Sequence, residues 1–146
     1  MGNTSDYITI ERIWQDACYF QVRVECKSEC ILASCEVYTS NEDIEELQDK
    51  IEKFLAKKPD EAYFWTSGET GDTSTPCVSF EFKYKDKLGH VQVEVYMELD
   101  DGGALSKHNC CFYINTEIGQ LDQFKKELLN LRKPIIGIKA MLNQTL

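Results

Sequence analysis

Residues 18–38 read CYFQVRVECKSECILASCEVY. Cys18, Phe20, Val22, Val24 and Cys26 fall on one side of an extended chain, and Tyr19, Gln21, Arg23 and Glu25 fall on the other. That period of two is the mark of a half-buried strand. After Lys27-Ser28-Glu29 the alternation resumes, with Ile31, Ala33, Cys35 and Val37 against Ser34, Glu36 and Tyr38. A link this short cannot make a parallel crossover, so the two runs form an antiparallel hairpin. A sheet built from such hairpins has one apolar and one polar face, and something must cover the apolar one.

Upstream, residues 7–14 give a further strand, in which Ile8 and Ile10 alternate with Thr9 and Glu11. Downstream the period changes to that of a helix. Ser40 or Asn41 supplies the N-cap, acids fill the first turn, and Ile44, Leu47, Ile51, Phe54 and Leu55 make the apolar stripe. Lys57, Lys58 and Pro59 stop it. Tyr63, Phe64 and Trp65 mark a short aromatic strand over residues 61–66, and residues 67–76, SGETGDTSTP, are a polar loop. A second hairpin follows. Val78, Phe80, Phe82 and Tyr84 face inward, Asp86-Lys87-Leu88-Gly89 turns the chain, and Val91, Val93, Val95, Met97 and Leu99 return. Residues 100–107 are a loop. Cys110, Phe112 and Ile114 alternate with Cys111, Tyr113 and Asn115 in the next strand. Thr116 can cap a second helix with the stripe Leu121, Phe124, Leu128 and Leu131, ended by Arg132, Lys133 and Pro134. The tail, with Ile135, Ile136, Ile138, Met141 and Leu142, suits a short helix or an edge strand. The order is three strands, a helix, four strands, a helix and a tail. It predicts an α+β fold: a mainly antiparallel sheet of about six or seven strands with two helices packed on one face. At 146 residues the chain is expected to be a single domain over residues 1–146.

The formal net charge is −9 and the sequence pI is near 4.7. A surface of that sign repels phosphate, which argues against nucleic acid and anionic membrane as partners and favours a basic protein. The same carboxylates also serve solubility alone. Neither a secretory signal nor an apolar run long enough to span a bilayer is present, so a cytoplasmic location is expected. The seven cysteines are then expected to be free thiols. Cys26, Cys30 and Cys35 cluster in sequence, but they lack a close fourth ligand, and His90 and His108 follow no zinc spacing.

No motif for turnover stands out. Gly68-Glu69-Thr70-Gly71 lacks the lysine of a phosphate loop and carries an acid in its place. Asp100-Asp101-Gly102-Gly103 lacks the alternating acids and distal Glu of a calcium loop. A folded Cys–His pair has no local signature, and a turn histidine without a role accounts for His90 as simply. The expectation is a non-catalytic chain without metal or cofactor.

The outward strand positions carry more information. Tyr19, Tyr38, Tyr96 and Tyr113 fall opposite the inferred core, together with Glu25, Glu36, Glu94 and Glu98. Aromatics anchor interfaces, and acids complement a basic partner. Cross-strand tyrosine pairing or a homodimer would use the same face equally well. The candidate partner-binding residues are Tyr96, Glu94, Glu98 and Tyr113 on strands, and Glu42, Glu46 and Asp49 on the solvent side of the first helix.

Three stretches carry a family resemblance: DKLGHVQVEV at residues 86–95, CFYINTE at 111–117 running on to Leu121, and the hairpin ending in Val37-Tyr38 followed by DIEEL at 43–47. In order, they resemble segments of small bacterial immunity proteins of the WapI type, which neutralise toxins delivered by neighbouring bacteria. The chain departs from that pattern in its many cysteines and in the loop over residues 67–76. The resemblance implies a stoichiometric inhibitor that blocks a toxin, nuclease-like where the partner cleft is basic. The readings that compete with it are a ligand-binding or dimeric structural domain and, third, an enzyme with a Cys–His or carboxylate site.

Overall fold

The expected hairpin forms over Phe20–Lys27 and Leu32–Thr39, although Ile31, expected inward, is exposed in the turn between them. A computed structural model describes residues 5–57, 63–67, 77–99 and 108–145. Among them the chain runs β1 (Tyr7–Gln15), β2 (Phe20–Lys27), β3 (Leu32–Thr39), α1 (Asn41–Leu55), β4 (Phe64–Ser67), β5 (Cys77–Tyr84), β6 (His90–Leu99), β7 (His108–Glu117), α2 (Ile118–Leu131) and β8 (Lys139–Asn143). The fold is α+β and its strand pairs are antiparallel. The predicted loops over residues 67–76 and 100–107 lie outside the described residues, apart from Ser67, which belongs to β4.

The strands divide into two four-stranded sheets, ordered β3-β2-β1-β8 and β4-β5-β6-β7. The tail belongs to the first sheet. It is an edge strand, and it pairs with β1 at the far end of the chain, Ile8 opposite Leu142 and Ile10 opposite Ala140. α2 therefore leaves the second sheet and delivers the chain back to the first. Both inner faces feed one core: Ile8, Ile10, Val22, Val24 and Val37 from the first sheet, Phe80, Val93, Val95 and Ile114 from the second.

The helices fill the same core. Ser40 caps α1, its hydroxyl accepting the Asp43 N–H at 3.2 Å. Ile44, Leu47, Ile51 and Phe54 are buried as their spacing predicts. Phe54 meets the inner-face rings of the second sheet, stacked on Tyr84 with centroids 4.2 Å apart. Trp65 Nε1 donates to the Asp43 carbonyl at 2.9 Å, fixing the start of α1 over β4. α2 buries Leu121, Phe124, Leu128 and Leu131 and packs against α1 and β8. No helix among the described residues is long and apolar enough to cross a membrane.

Some local expectations shift. β2 starts at Phe20, because Asp16 Oδ1 accepts the N–H groups of Cys18 and Tyr19 at 2.8 Å and closes a turn there. Cys18 is thus exposed in a turn rather than inward on a strand. Thr116 does not cap α2. It is still in β7, its hydroxyl donating to the Asn143 carbonyl at 2.6 Å, and Glu117 takes the N-cap position without a side-chain bond. A bulge between Arg12 and Trp14 moves Trp14 to the outer face, opposite Gln21.

Candidate functional site

The strand residues expected to bind a partner do share a face. Glu94, Tyr96 and Glu98 of β6 and Tyr113 of β7 all lie on the outer side of the second sheet, with Glu94 directly opposite Tyr113. Their environments differ. Tyr113 is exposed and Tyr96 is half-buried. Glu98 is only 5% exposed and accepts the Cys77 thiol at 3.4 Å, so its carboxylate is withdrawn from an approaching surface.

Lys83, which the sequence reading did not place in the site, sits at its centre. Its Nζ lies 3.1 Å from Glu94 Oε1 and 3.8 Å from Glu81 Oε1, and it stands 5.9 Å from the Tyr113 ring centroid. The hydrogen bond from Lys83 holds the Glu94 carboxyl below its ordinary range. Burial, followed by the nearby Glu98 charge, pushes the Tyr96 phenol up. Lys83 offsets Glu94 and Glu98 is buried, so little of the patch's acidity is presented to a partner beside its aromatic surface.

The helix residues form a separate surface. Glu42, Glu46 and Asp49 follow one another at i, i+4 and i+7 and are exposed on α1, with Glu45 and Glu52 beside them along a shallow groove. Among the described residues Lys53 lies 3.1 Å from Asp49 and Arg132 lies 3.7 Å from Glu45. Because α1 packs on the inner side of the second sheet, its carboxylates and the Tyr113 patch look in opposite directions. One flat interface cannot cover both.

The four tyrosines expected on one wall are likewise divided. Tyr96 and Tyr113 are on the second sheet, Tyr38 is on the outer face of the first, and Tyr19 is in the β1–β2 turn. Tyr38 makes an edge contact with Trp14, centroids 5.9 Å apart, and both are exposed. On the same face the Tyr7 hydroxyl donates to Glu25 at 2.6 Å, which drives the phenol pKa up to about 12.

The residues that could hold a metal or act as a nucleophile are dispersed. Cys26 and Cys35 are buried while Cys30 is exposed, so the three do not converge. Burial raises the Cys26 thiol pKa strongly and that of Cys35 to about 12, which keeps both protonated. Among the described residues no group of three His, Cys, Asp or Glu is placed to hold a metal ion. His90 Nδ1 lies 2.6 Å from Asp86 Oδ2 in an exposed turn. Asp86 also accepts the N–H groups of Leu88 and His90, so the pair shapes the turn.

One functional group escaped the sequence reading although its signal was present. Arg12 follows Ile8 and Ile10 at the same parity and is accordingly inward, 6% exposed. Comparisons with protein-family models, with curated proteins and with solved structures each return no match to this chain.

Proposed function

We propose that this chain is a non-catalytic, acidic protein-binding module that acts as an immunity-type inhibitor, neutralising a basic, nuclease-like toxin by occupying its substrate cleft. The observation that carries this reading is the carboxylate row of Glu42, Glu46 and Asp49 along one exposed side of a 15-residue helix. A cleft built to receive a phosphate backbone offers cations at comparable spacing, and a rigid helix presents acids to them without ordering a loop. The net charge of −9 adds long-range steering of the same sign. The WapI-type resemblance supports the same class of partner.

The test is co-expression with any toxin domain that the neighbouring genes encode, followed by purification of the pair. Protection from killing and a one-to-one complex are expected. Survival unchanged by this chain, or no complex with that domain, overturns the reading.

A second reading rests on a different surface. Trp14 and Tyr38 leave an aromatic pair open to solvent on the first sheet, which is the composition of an interface core. A homodimer through that face predicts a concentration-dependent mass in sedimentation equilibrium, abolished by Tyr38→Glu.

A further inference from the structure

A cleft of about 700 Å3 opens where three chain segments meet: the β1–β2 turn at Asp16–Tyr19, the first turn of α1 at Ser40–Asp43, and the chain leaving α2 at Arg132 and Pro134. That volume lies within the range of sites that enclose small molecules. Arg12 lines it from the inner face of the first sheet.

The chemistry of Arg12 is unusual for a buried cation. Its guanidinium lies 3.7 Å from the Phe20 ring centroid. Nη1 donates to the carbonyls of Leu131 at 2.7 Å and Lys133 at 2.8 Å, at the negative end of α2. Those bonds account for one nitrogen of the fork. Nε is buried and has no hydrogen-bond partner. Among the described residues no carboxylate stands within ion-pair distance of Arg12. Capping α2 therefore explains Arg12 only in part. Because Nε is buried, an oxyanion in the cleft would meet the guanidinium at Nη2, which has no acceptor among the described residues.

Other groups converge on the same space. Arg132 lines the cleft with a second guanidinium. The first backbone N–H groups of α1, at Asn41 and Glu42, have no intrahelical acceptor. Asp16, Glu42 and Asp43 line the cleft too. Together they would repel a doubly charged anion such as phosphate, and they would attract a cationic group attached to a singly charged one.

We propose that this cleft binds a small zwitterion, about the size of one to three amino-acid residues. Its carboxylate meets Arg12, Arg132 and the first N–H groups of α1, and its ammonium end faces Asp16 and Glu42. The proposal does not rest on the toxin reading, although Glu42 lies at the edge of both surfaces.

The experiment titrates trialanine, its C-terminal amide, acetate and inorganic phosphate into the 15N-labelled full chain, with amide and arginine Nε–H spectra and calorimetry as readouts. Saturable trialanine binding is expected, with shifts at the Arg12 Nε–H and at the Asn41 and Glu42 N–H. The amide, acetate and Arg132→Gln are each expected to weaken binding by on the order of tenfold. Arg132→Gln alters a partly exposed side chain and keeps the test open if Arg12→Met fails to fold. No saturable binding of trialanine overturns the proposal. So do equal affinity for acid and amide, equal affinity for acetate, tighter binding of phosphate, or shifts confined to another surface.

Discussion

Phe54→Ala tests the joint that holds α1 on the second sheet. The Phe54 ring is 1% exposed. It stacks on Tyr84 at 4.2 Å and 13°, meets Tyr63 edge-on at 5.0 Å and lies 5.9 Å from Phe82. Truncating a buried phenylalanine costs about 3–5 kcal/mol from lost transfer energy and the cavity left behind. Three ring partners, two of them on β5, place this site in the upper half of that range, at ~4 kcal/mol. A domain of this class has roughly 5–15 kcal/mol in total, so the variant folds but only just. Urea unfolding followed by the fluorescence of buried Trp65 reads the effect. With a slope of about 2 kcal/mol/M, the midpoint should fall by ~2 M with the slope unchanged. Tyr84→Phe removes only the hydroxyl that donates to the Phe54 carbonyl at 2.7 Å, which should cost about 1 kcal/mol. The two changes strike one joint, so the double variant should lose less than the sum. A loss below ~1 kcal/mol for Phe54→Ala, or strict additivity with Tyr84→Phe, would refute the packing described.

Four further outcomes are expected. Glu42→Lys, Glu46→Lys and Asp49→Lys together should slow association with the toxin domain at least about tenfold at low salt, and by less at high salt, whereas Tyr96→Ala on the opposite side should leave affinity within about twofold; stopped-flow measurement at two ionic strengths decides it. Tyr7 has a folded pKa of about 12 against an ordinary 10.0. Its bond to Glu25 is thus fully present below pH 10 and lost as pH rises through 12. With solvent screening, the stability difference between the native chain and Tyr7→Phe should fall by on the order of 1 kcal/mol across that window, and a tyrosinate absorbance titration should show one late phenol. Gly89 has φ +92° and an added Cβ would lie 3.4 Å from Ile118, so Gly89→Ala should lower Tm by about 2–4 °C. Gly119→Ala, in the first turn of α2 with open space around it, should raise Tm by a similar amount.

Local periodicity made the elements legible, and it could not reveal their partners. The residues of β2, β3, β5 and β6 alternate cleanly, and short turns forced their pairing. Ser40 and the stripe from Ile44 to Phe54 located α1 to within a residue at either end. The fourth strand of the first sheet is β8, which pairs with β1, where Tyr7 meets Asn143. Nothing local in a five-residue segment with one polar edge selects a partner so distant. The bulge at Arg12–Trp14 is similarly silent, since it appears only when the strand is laid against β2. For the candidate site, parity placed Glu94, Tyr96 and Tyr113 on one face correctly. It could not tell that Lys83 would neutralise Glu94, or that Glu98 would be buried against Cys77. Both depend on which strands flank β6.

Arg12 joins these two kinds of information. Its parity with Ile8 and Ile10 sends it inward, while its charge argues that it should stay in water. The conflict resolves only through a segment more than a hundred residues away. The C-terminal carbonyls of α2 supply two acceptors, and the Arg12 backbone is fixed by bonds from Gly137 N–H at 2.7 Å and to the Ile138 carbonyl at 2.9 Å. The crossing from α2 to β8 thus does two things at once. It completes the first sheet to four strands, and it carries the negative end of a helix to a cation that would otherwise be stranded in the core. Two acceptors on Nη1 leave Nε without a partner, and a buried donor left unpaired costs stability. If the cleft beside it takes the zwitterion proposed above, binding to the folded chain stabilises it, so trialanine should raise Tm and inorganic phosphate should not.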